Sequence, residues 1–211
     1  MERLILVRHG QTDHNVQRRL QGQIDIPMNA TGAAQAEAVG ESLSTLSDVA
    51  AVYTSPLSRA RATAEAIAVR HGLGVHGDPR LLERSFGEWE GLTRDEVEAG
   101  WPEDFANWVG GHPIAGAGVE DREVVAERFN AACRSYADAH PGPSTVIVVS
   151  HGAAISLGIA AMLGLDTAHF RGFQGLDNCA RAVLLPQDNG TATGWVRLAS
   201  LNLPADFPAP A

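Results

Sequence analysis

Apolar residues along this chain follow two rhythms. Short, nearly unbroken runs at 2–8 (ERLILVR), 50–54 (AAVYT) and 145–150 (TVIVVS) read as buried strands. The last is almost wholly apolar, as expected of a strand at the centre of a parallel sheet. Between these runs, alanines and larger apolar residues recur at helical spacing. A helix is predicted from Thr31 to Leu46. Another is predicted to run to about Arg70, with Ser55 as its N-cap and Pro56 in its first turn. A long helix runs from Val119 to His140, stopped by Pro141-Gly142-Pro143, and a further one from Ala153 to about Leu163. Arg80 to Glu83 reads as a short strand or a loop. Ala180 to Pro186 and Gly194 to Ser200 read as closing strands, joined by a hairpin around Asp188-Asn189-Gly190. Pro204 to Ala211 reads as a loose tail.

Strands that alternate with helices imply an α/β sandwich with helices on both faces of the sheet. No linker-like segment or internal repeat divides the 211 residues, so residues 1–211 are expected to form one domain. The stretch from Phe86 to His112 is rich in aromatics and glycine with short helical pieces, and a lid-like insertion is expected at about 86–118.

Composition narrows the partners. A formal charge of −9 argues against nucleic acid and anionic membranes. No apolar run reaches the length of a membrane span, and the N-terminus turns charged too soon for a signal peptide. Cys133 and Cys179 show no CxxC or zinc spacing and are expected as buried thiols in a reducing cytoplasm. The chain contains no lysine, and all 16 of its Lys+Arg residues are arginine. That excludes a Walker lysine, a Schiff base and a lysine general base. Arginine, by contrast, binds phosphate through a bidentate fork.

Two strands end alike, in Arg8-His9-Gly10 and in Ser150-His151-Gly152. Ligands of open α/β sheets sit at the carboxyl ends of strands, so both imidazoles can enter one crevice. Gly152 opens a helix, whose free N–H groups favour an anion. Arg8 precedes His9, and Arg59 lies in the first turns of the helix after Ser55-Pro56. Two arginines and two histidines around one oxyanion suit phosphoryl transfer. A histidine can serve as nucleophile, and Glu83 is the carboxyl best placed by sequence to protonate the leaving oxygen. The competing readings are structural histidines at strand ends, a metal site and a serine hydrolase. Neither HxH, HExxH nor GxSxG occurs. Among the other histidines, His14 stands out because it follows His9 in the same loop.

Five blocks, in order, carry a resemblance to a known family. LVRHGQTDHN (6–15) resembles the RHG signature of the histidine phosphatase, or phosphoglycerate mutase-like, superfamily. QGQIDIPMNATGAAQA (21–36), TSPLSRARATAEAI (54–67), LLERSFGEWEG (81–91) and VVSHG (148–152) are similar to its later segments. The resemblance implies a three-layer α/β/α sandwich with a mostly parallel central sheet. It implies catalytic roles for His9, Glu83, His151, Arg8 and Arg59. Phosphate contacts are implied for Arg8, Asn15, Gln21, Gly22, Arg59 and Gly152. No metal or organic cofactor is expected. A homodimer is plausible on the same grounds, and the substrate is expected to be a small phosphorylated metabolite. One departure is visible: where the family often has a GES segment, the nearest match is Gly118-Val119-Glu120-Asp121. Acidic residues at a helix start explain that stretch equally well.

The resemblance covers phosphatases and mutases. Mutases hold a phosphorylated acid with extra basic residues, lysine among them. Here there is no lysine, and the segment from Phe86 to His112 offers only Arg94 among many acids. A phosphatase of the histidine acid phosphatase type is therefore expected. A phosphoglycerate mutase is the alternative, and a non-catalytic phospholigand-binding protein the third reading. Trp101, Phe105 and Trp108 fall at helical spacing, either as a packing face or as a wall for substrate. Phe170, Arg171 and Phe173 are further candidates to reach the pocket.

Overall fold

The run TVIVVS does form the middle of the sheet. In the computed structural model, which describes residues 1–187 and 194–209, it is β4 (Thr145–Ser150), and all six of its residues are buried. The other strands are β1 (Arg3–Arg8), β2 (Val49–Thr54), β3 (Val75–Gly77), β5 (Arg181–Pro186) and β6 (Val196–Leu203). Their order is β3-β2-β4-β1-β5-β6. β1, β2, β3 and β4 run parallel, while β5 and β6 close the sheet antiparallel. The hairpin turn expected around Asp188-Asn189-Gly190 lies outside the described residues.

Among the described residues there are seven α-helices: α1 (Asp13–Val16), α2 (Ala30–Leu43), α3 (Ser58–Ala68), α4 (Arg94–Gly100), α5 (Pro102–Gly110), α6 (Arg122–Ala139) and α7 (Gly152–Met162). α2 and α3 pack on one face of the sheet, against Ile5, Val7, Ile147 and Val149. α6 and α7 pack on the other, against Leu4, Leu6, Val146 and Val148. β1 and β4 are covered on both faces, which is why their sequences are continuous apolar runs rather than alternating ones. Each such side chain contributes about 1.5–3 kcal/mol by leaving water. The two cysteines are free and buried, one in each core. No described helix is long and apolar enough to cross a membrane.

The segment after β3 builds a third, smaller apolar cluster from Phe86, Trp89, Val97, Ala117 and Val119. Phe105 and Trp108 pack against it, so the aromatic spacing reflects packing, although Trp108 also reaches a cavity described below.

Three expectations need correction. Ser55-Pro56 does not cap α3: the helix begins at Ser58 with Leu57 in the cap position and no side-chain cap bond. The Ser55 hydroxyl is committed to His151 instead. Arg80 to Glu83 is neither strand nor plain loop at its start, because Pro79–Leu81 forms a 3-10 turn capped by Asp78. The tail is not loose as far as residue 209 is concerned. The buried Arg181 guanidinium donates to the carbonyls of Pro204, Phe207 and Pro208, and Ser42 also donates to Phe207. An internal guanidinium needs acceptors, and the tail backbone supplies them.

Candidate active site

β1 and β4 lie side by side with Arg8 opposite Ser150. After β1 the chain turns to the α2 face; after β4 it turns to the α7 face. The crevice between their carboxyl ends is thus a topological switch point, where α/β sheets bind ligands. The residues that follow the paired ends are His9 and His151. Their ring centroids lie 5.1 Å apart with planes inclined by 59°. The His9 backbone N–H donates to the Ser150 carbonyl at 3.0 Å, which fixes the two turns to each other.

The tautomer of His9 follows from its partner. Nδ1 lies 2.8 Å from the Gly10 carbonyl oxygen, which can only accept, so Nδ1 carries the proton. Nε2 keeps its lone pair. His151 places Nε2 2.8 Å from the Ser55 hydroxyl, and its buried Nδ1 has no partner among the described residues. Both imidazoles have pKa values held well below the ordinary 6.5. Burial is the main cause for each. For His9 the positive charges of Arg8 and Arg59 add to it, and for His151 the neighbouring His9 and the same arginines do.

The arginines are positioned by carbonyls. Arg8 donates to Leu176 at 2.6 Å; Arg59 donates to Ile24 and Gly22, each at 2.8 Å. Carbonyl partners fix a guanidinium without neutralising it, and no described carboxylate forms an ion pair with either residue. Burial pushes both pKa values down, and Glu83 opposes that. Neither guanidinium is tied up in an ion pair among the described residues, so the two line the crevice with positive charge, a setting that favours an oxyanion.

Glu83 lines the same crevice. Its carboxylate accepts the N–H groups of Arg84 at 2.9 Å, Ala153 at 3.2 Å and Ala154 at 2.8 Å. Two of these are orphan donors at the start of α7. The N–H of Gly152, in that same turn, has no partner among the described residues. The Glu83 backbone is held too: its carbonyl accepts from Gln23 and Arg128. Arg128 also binds the carbonyls of Arg80 and Leu82 and pairs with Glu120 at 2.9 Å. Glu120, in the segment that departs from the family's GES pattern, thus positions Glu83 through Arg128.

Around the crevice, of about 230 Å³, stand Arg8, His9, Asn15, Gln21, Gly22, Arg59, Glu83 and Gly152. His151 lies fully buried behind His9 rather than in the wall. Gln21 accepts from Thr12, and Asn15 uses its side-chain oxygen for Thr12 and Asn178, so Asn15 retains its NH2 for a ligand. His14 does not line the crevice. Gly22 holds φ +51°, and a Cβ there would meet Glu90 Oε1 at 2.0 Å. Only glycine fits a backbone that must also hand its carbonyl to Arg59.

Sequence reading missed Ser55, read as a cap, and Asn178, which donates to the His9 carbonyl at 2.9 Å. It also counted too few bases. Arg84, Arg122 and Arg171 gather on a cavity next to the crevice, although α6 and the loop after α7 supply two of them. Of the three, only Arg171 was among the candidates to reach the pocket; Arg84, two residues before Phe86, and Arg122, at the start of α6, were not.

With this geometry in place, comparison with known proteins decides the family. A model of the histidine phosphatase superfamily (branch 1) matches residues 4–197. The chain belongs to the histidine phosphatase superfamily. Glucosyl-3-phosphoglycerate phosphatase of Mycobacterium tuberculosis is 36% identical over 187 residues, covering 84% of this chain and 82% of that protein. A probable phosphoglycerate mutase GpmB of Klebsiella pneumoniae is 38% identical over 200 residues, covering 93% and 91%. A solved mycobacterial glucosyl-3-phosphoglycerate phosphatase with VO3 superposes with a TM-score of 0.87 at 32% identity, over 96% of this chain and 99% of that one. For this member of the histidine phosphatase superfamily, the three-layer fold expected from the motifs is the observed one, with helices on both faces of a mostly parallel sheet.

Proposed function

We propose that the chain hydrolyses phosphate monoesters of small metabolites through a phosphohistidine on His9. The observation that carries this is the free Nε2 lone pair of His9 in a crevice also lined by Arg8, Arg59 and Glu83, neither arginine being held in an ion pair among the described residues. Nε2 attacks phosphorus, and the bond to the leaving oxygen breaks as Glu83 gives that oxygen a proton. Water then attacks the phosphohistidine, returns a proton to Glu83 and releases phosphate with His9 regenerated. Arg8, Arg59, the Asn15 amide and the Gly152 N–H hold the phosphoryl oxygens throughout, while His151, held by Ser55, backs the His9 ring. A nucleophile that stays neutral well below pH 6.5 suits the histidine acid phosphatase type, active in acid.

The segment at 86–118 acts as a lid in this reading, since Phe86 lines the crevice from its own small core. The two buried thiols suit a cytoplasmic setting, and a homodimer is checked by light scattering. The test of activity is release of phosphate from a generic aryl phosphate, abolished in His9→Ala. A His9→Ala enzyme with normal turnover would contradict the mechanism. The second reading, a phosphoglycerate mutase, is favoured by the 38% identity to the Klebsiella protein. It requires conversion of 3- to 2-phosphoglycerate primed by a bisphosphate, and absence of that conversion removes it.

A further inference from the structure

The chain re-enters the sheet after α7 at β5, beside β1 and antiparallel to it, with Arg181 opposite Val7. The residues just before β5 therefore lie next to the carboxyl end of β1, where Arg8 and His9 stand. They form a tight turn, closed by the Ala180 N–H on the Asp177 carbonyl at 3.0 Å. Within it, Cys179 holds φ +57°. A side chain in the left-handed region is strained and persists only where its surroundings over-determine it. Here Leu176 and Cys179 are buried, and the Cys179 N–H donates to the Arg8 carbonyl at 3.0 Å. On the outer side, Asp177 and Asn202 of β6 bond reciprocally. The Asp177 N–H donates to the Asn202 side-chain oxygen at 2.8 Å, and the Asn202 amide to the Asp177 carboxylate at 3.0 Å.

Three crevice residues lean on this turn. The Leu176 carbonyl accepts from the Arg8 guanidinium at 2.6 Å. The Asn178 side-chain amide donates to the His9 carbonyl at 2.9 Å and to the Asn15 side-chain oxygen at 3.2 Å. Both partners are acceptors. One is a backbone carbonyl, and the other already accepts the Thr12 N–H at 3.0 Å. The two hydrogens of the Asn178 NH2 thus meet two fixed oxygens. Asn15, with its oxygen held by Thr12 and Asn178, keeps its NH2 free of both. Asn178 does not itself line the crevice.

We propose that Asn178 is a positioning residue, whose single amide fixes both the backbone of His9 and the orientation of the Asn15 amide that takes the phosphoryl oxygens. The proposal rests on the hydrolase reading above and adds a residue that lies beyond all five motif blocks. It predicts two separable effects from one side chain. Through His9, Asn178 acts on the attack at phosphorus. Through Asn15, it acts on phosphate binding.

The test combines Asn178→Ala with Asn15→Ala in a double-mutant cycle. Turnover of p-nitrophenyl phosphate and calorimetric binding of inorganic phosphate are the two readouts, with urea unfolding as the check on the fold. Asn178 is half-buried, so Asn178→Ala is expected to fold. It should lower kcat by about tenfold and weaken phosphate binding by about tenfold, each the worth of one hydrogen bond. With Asn15 already alanine, Asn178→Ala should still lower kcat but leave phosphate binding almost unchanged. Asn178→Asp keeps the size of the side chain but can only accept, and it sets a negative charge against two oxygens. It should be worse than Asn178→Ala in both readouts. Should Asn178→Ala not fold, Asn178→Ser, which retains a donor, carries the same comparison. Wild-type kcat and phosphate affinity in a folded Asn178→Ala enzyme overturn the inference and leave the hydrolase reading standing. Equal weakening of phosphate binding with and without the Asn15 side chain overturns the link through Asn15, as general damage to the turn would produce. Asn178→Asp no worse than Asn178→Ala overturns the argument from two fixed acceptors. A wild-type protein that binds phosphate but hydrolyses no phosphomonoester overturns the hydrolase reading, and the kcat arm of the inference with it.

Discussion

The Ser55 hydroxyl and Nε2 of His151 lie 2.8 Å apart, and both residues are fully buried. The strand end of β2 thereby sets the orientation of an imidazole delivered by β4. Ser55→Ala would leave His151 with no partner at either nitrogen, at a cost of roughly 1–3 kcal/mol in a buried site. Urea unfolding should register that loss. Turnover should fall about tenfold with kcat affected more than KM, because the ring loses its orientation rather than its charge. Unchanged kcat in a stably folded Ser55→Ala enzyme would show that something else orients His151.

Glu83 is assigned the proton that the leaving group needs, and that assignment depends on the leaving group. For Glu83→Gln we expect kcat on an alkyl phosphate to fall by about 10²–10⁴-fold. On p-nitrophenyl phosphate, whose phenolate leaves without help, the loss should be much smaller. Equal losses on the two substrates would reassign Glu83 to a purely positioning role at the start of α7.

Gly22 and Gly72 both sit in the left-handed region, with φ +51° and +65°. An added Cβ at Gly72 meets nothing within 4 Å, whereas at Gly22 it meets the Glu90 side chain. Glu90 Oε1 accepts the N–H groups of Gln23 and Phe86. Gly72→Ala should therefore cost about 1 kcal/mol of stability, from backbone strain alone. Gly22→Ala should cost more and also reduce kcat/KM, since it disturbs the carbonyl that holds Arg59. Thermal unfolding of both variants alongside phosphatase assays makes the comparison.

The histidines also predict a pH dependence of stability. Their folded pKa values lie well below 6.5, so below pH 6.5 the unfolded chain binds more protons than the folded one. Stability then increases with pH up to about 6.5 and is lost as pH falls below it, at up to about 1.4 kcal/mol per pH unit for each histidine. His9→Asn and His151→Asn should each flatten the urea-unfolding profile between pH 6.5 and 5. An unaltered slope in both variants would mean that the imidazoles do not titrate as their burial requires.

Much of this site could be read before any coordinates. His9 and His151 were legible because both follow parallel central strands, whose apolar runs are hard to mistake. Arg8, Arg59 and Glu83 were legible from motif spacing. Ser55 was misread because Ser-Pro before a helix fits a cap as well as it fits a partner for a distant ring, and only tertiary pairing decides between them. The 204–209 backbone looked loose because its acceptor role depends on Arg181, in the next-to-last strand of the sheet. Arg171 was expected to reach the pocket, and it does line the adjoining cavity; Arg84 and Arg122 escaped because they come from separate parts of the chain and no local pattern records that they meet there.

The central claim concerns a covalent bond between Nε2 of His9 and phosphorus. Rapid quenching of the enzyme during turnover of a phosphomonoester, followed by intact mass and peptide analysis under alkaline conditions, tests it directly. A single phosphoryl group on the peptide containing His9, formed as fast as turnover requires and absent in His9→Ala, is the predicted result. Full turnover with no phosphoryl adduct, or an adduct on His151 or Ser55, would contradict the account.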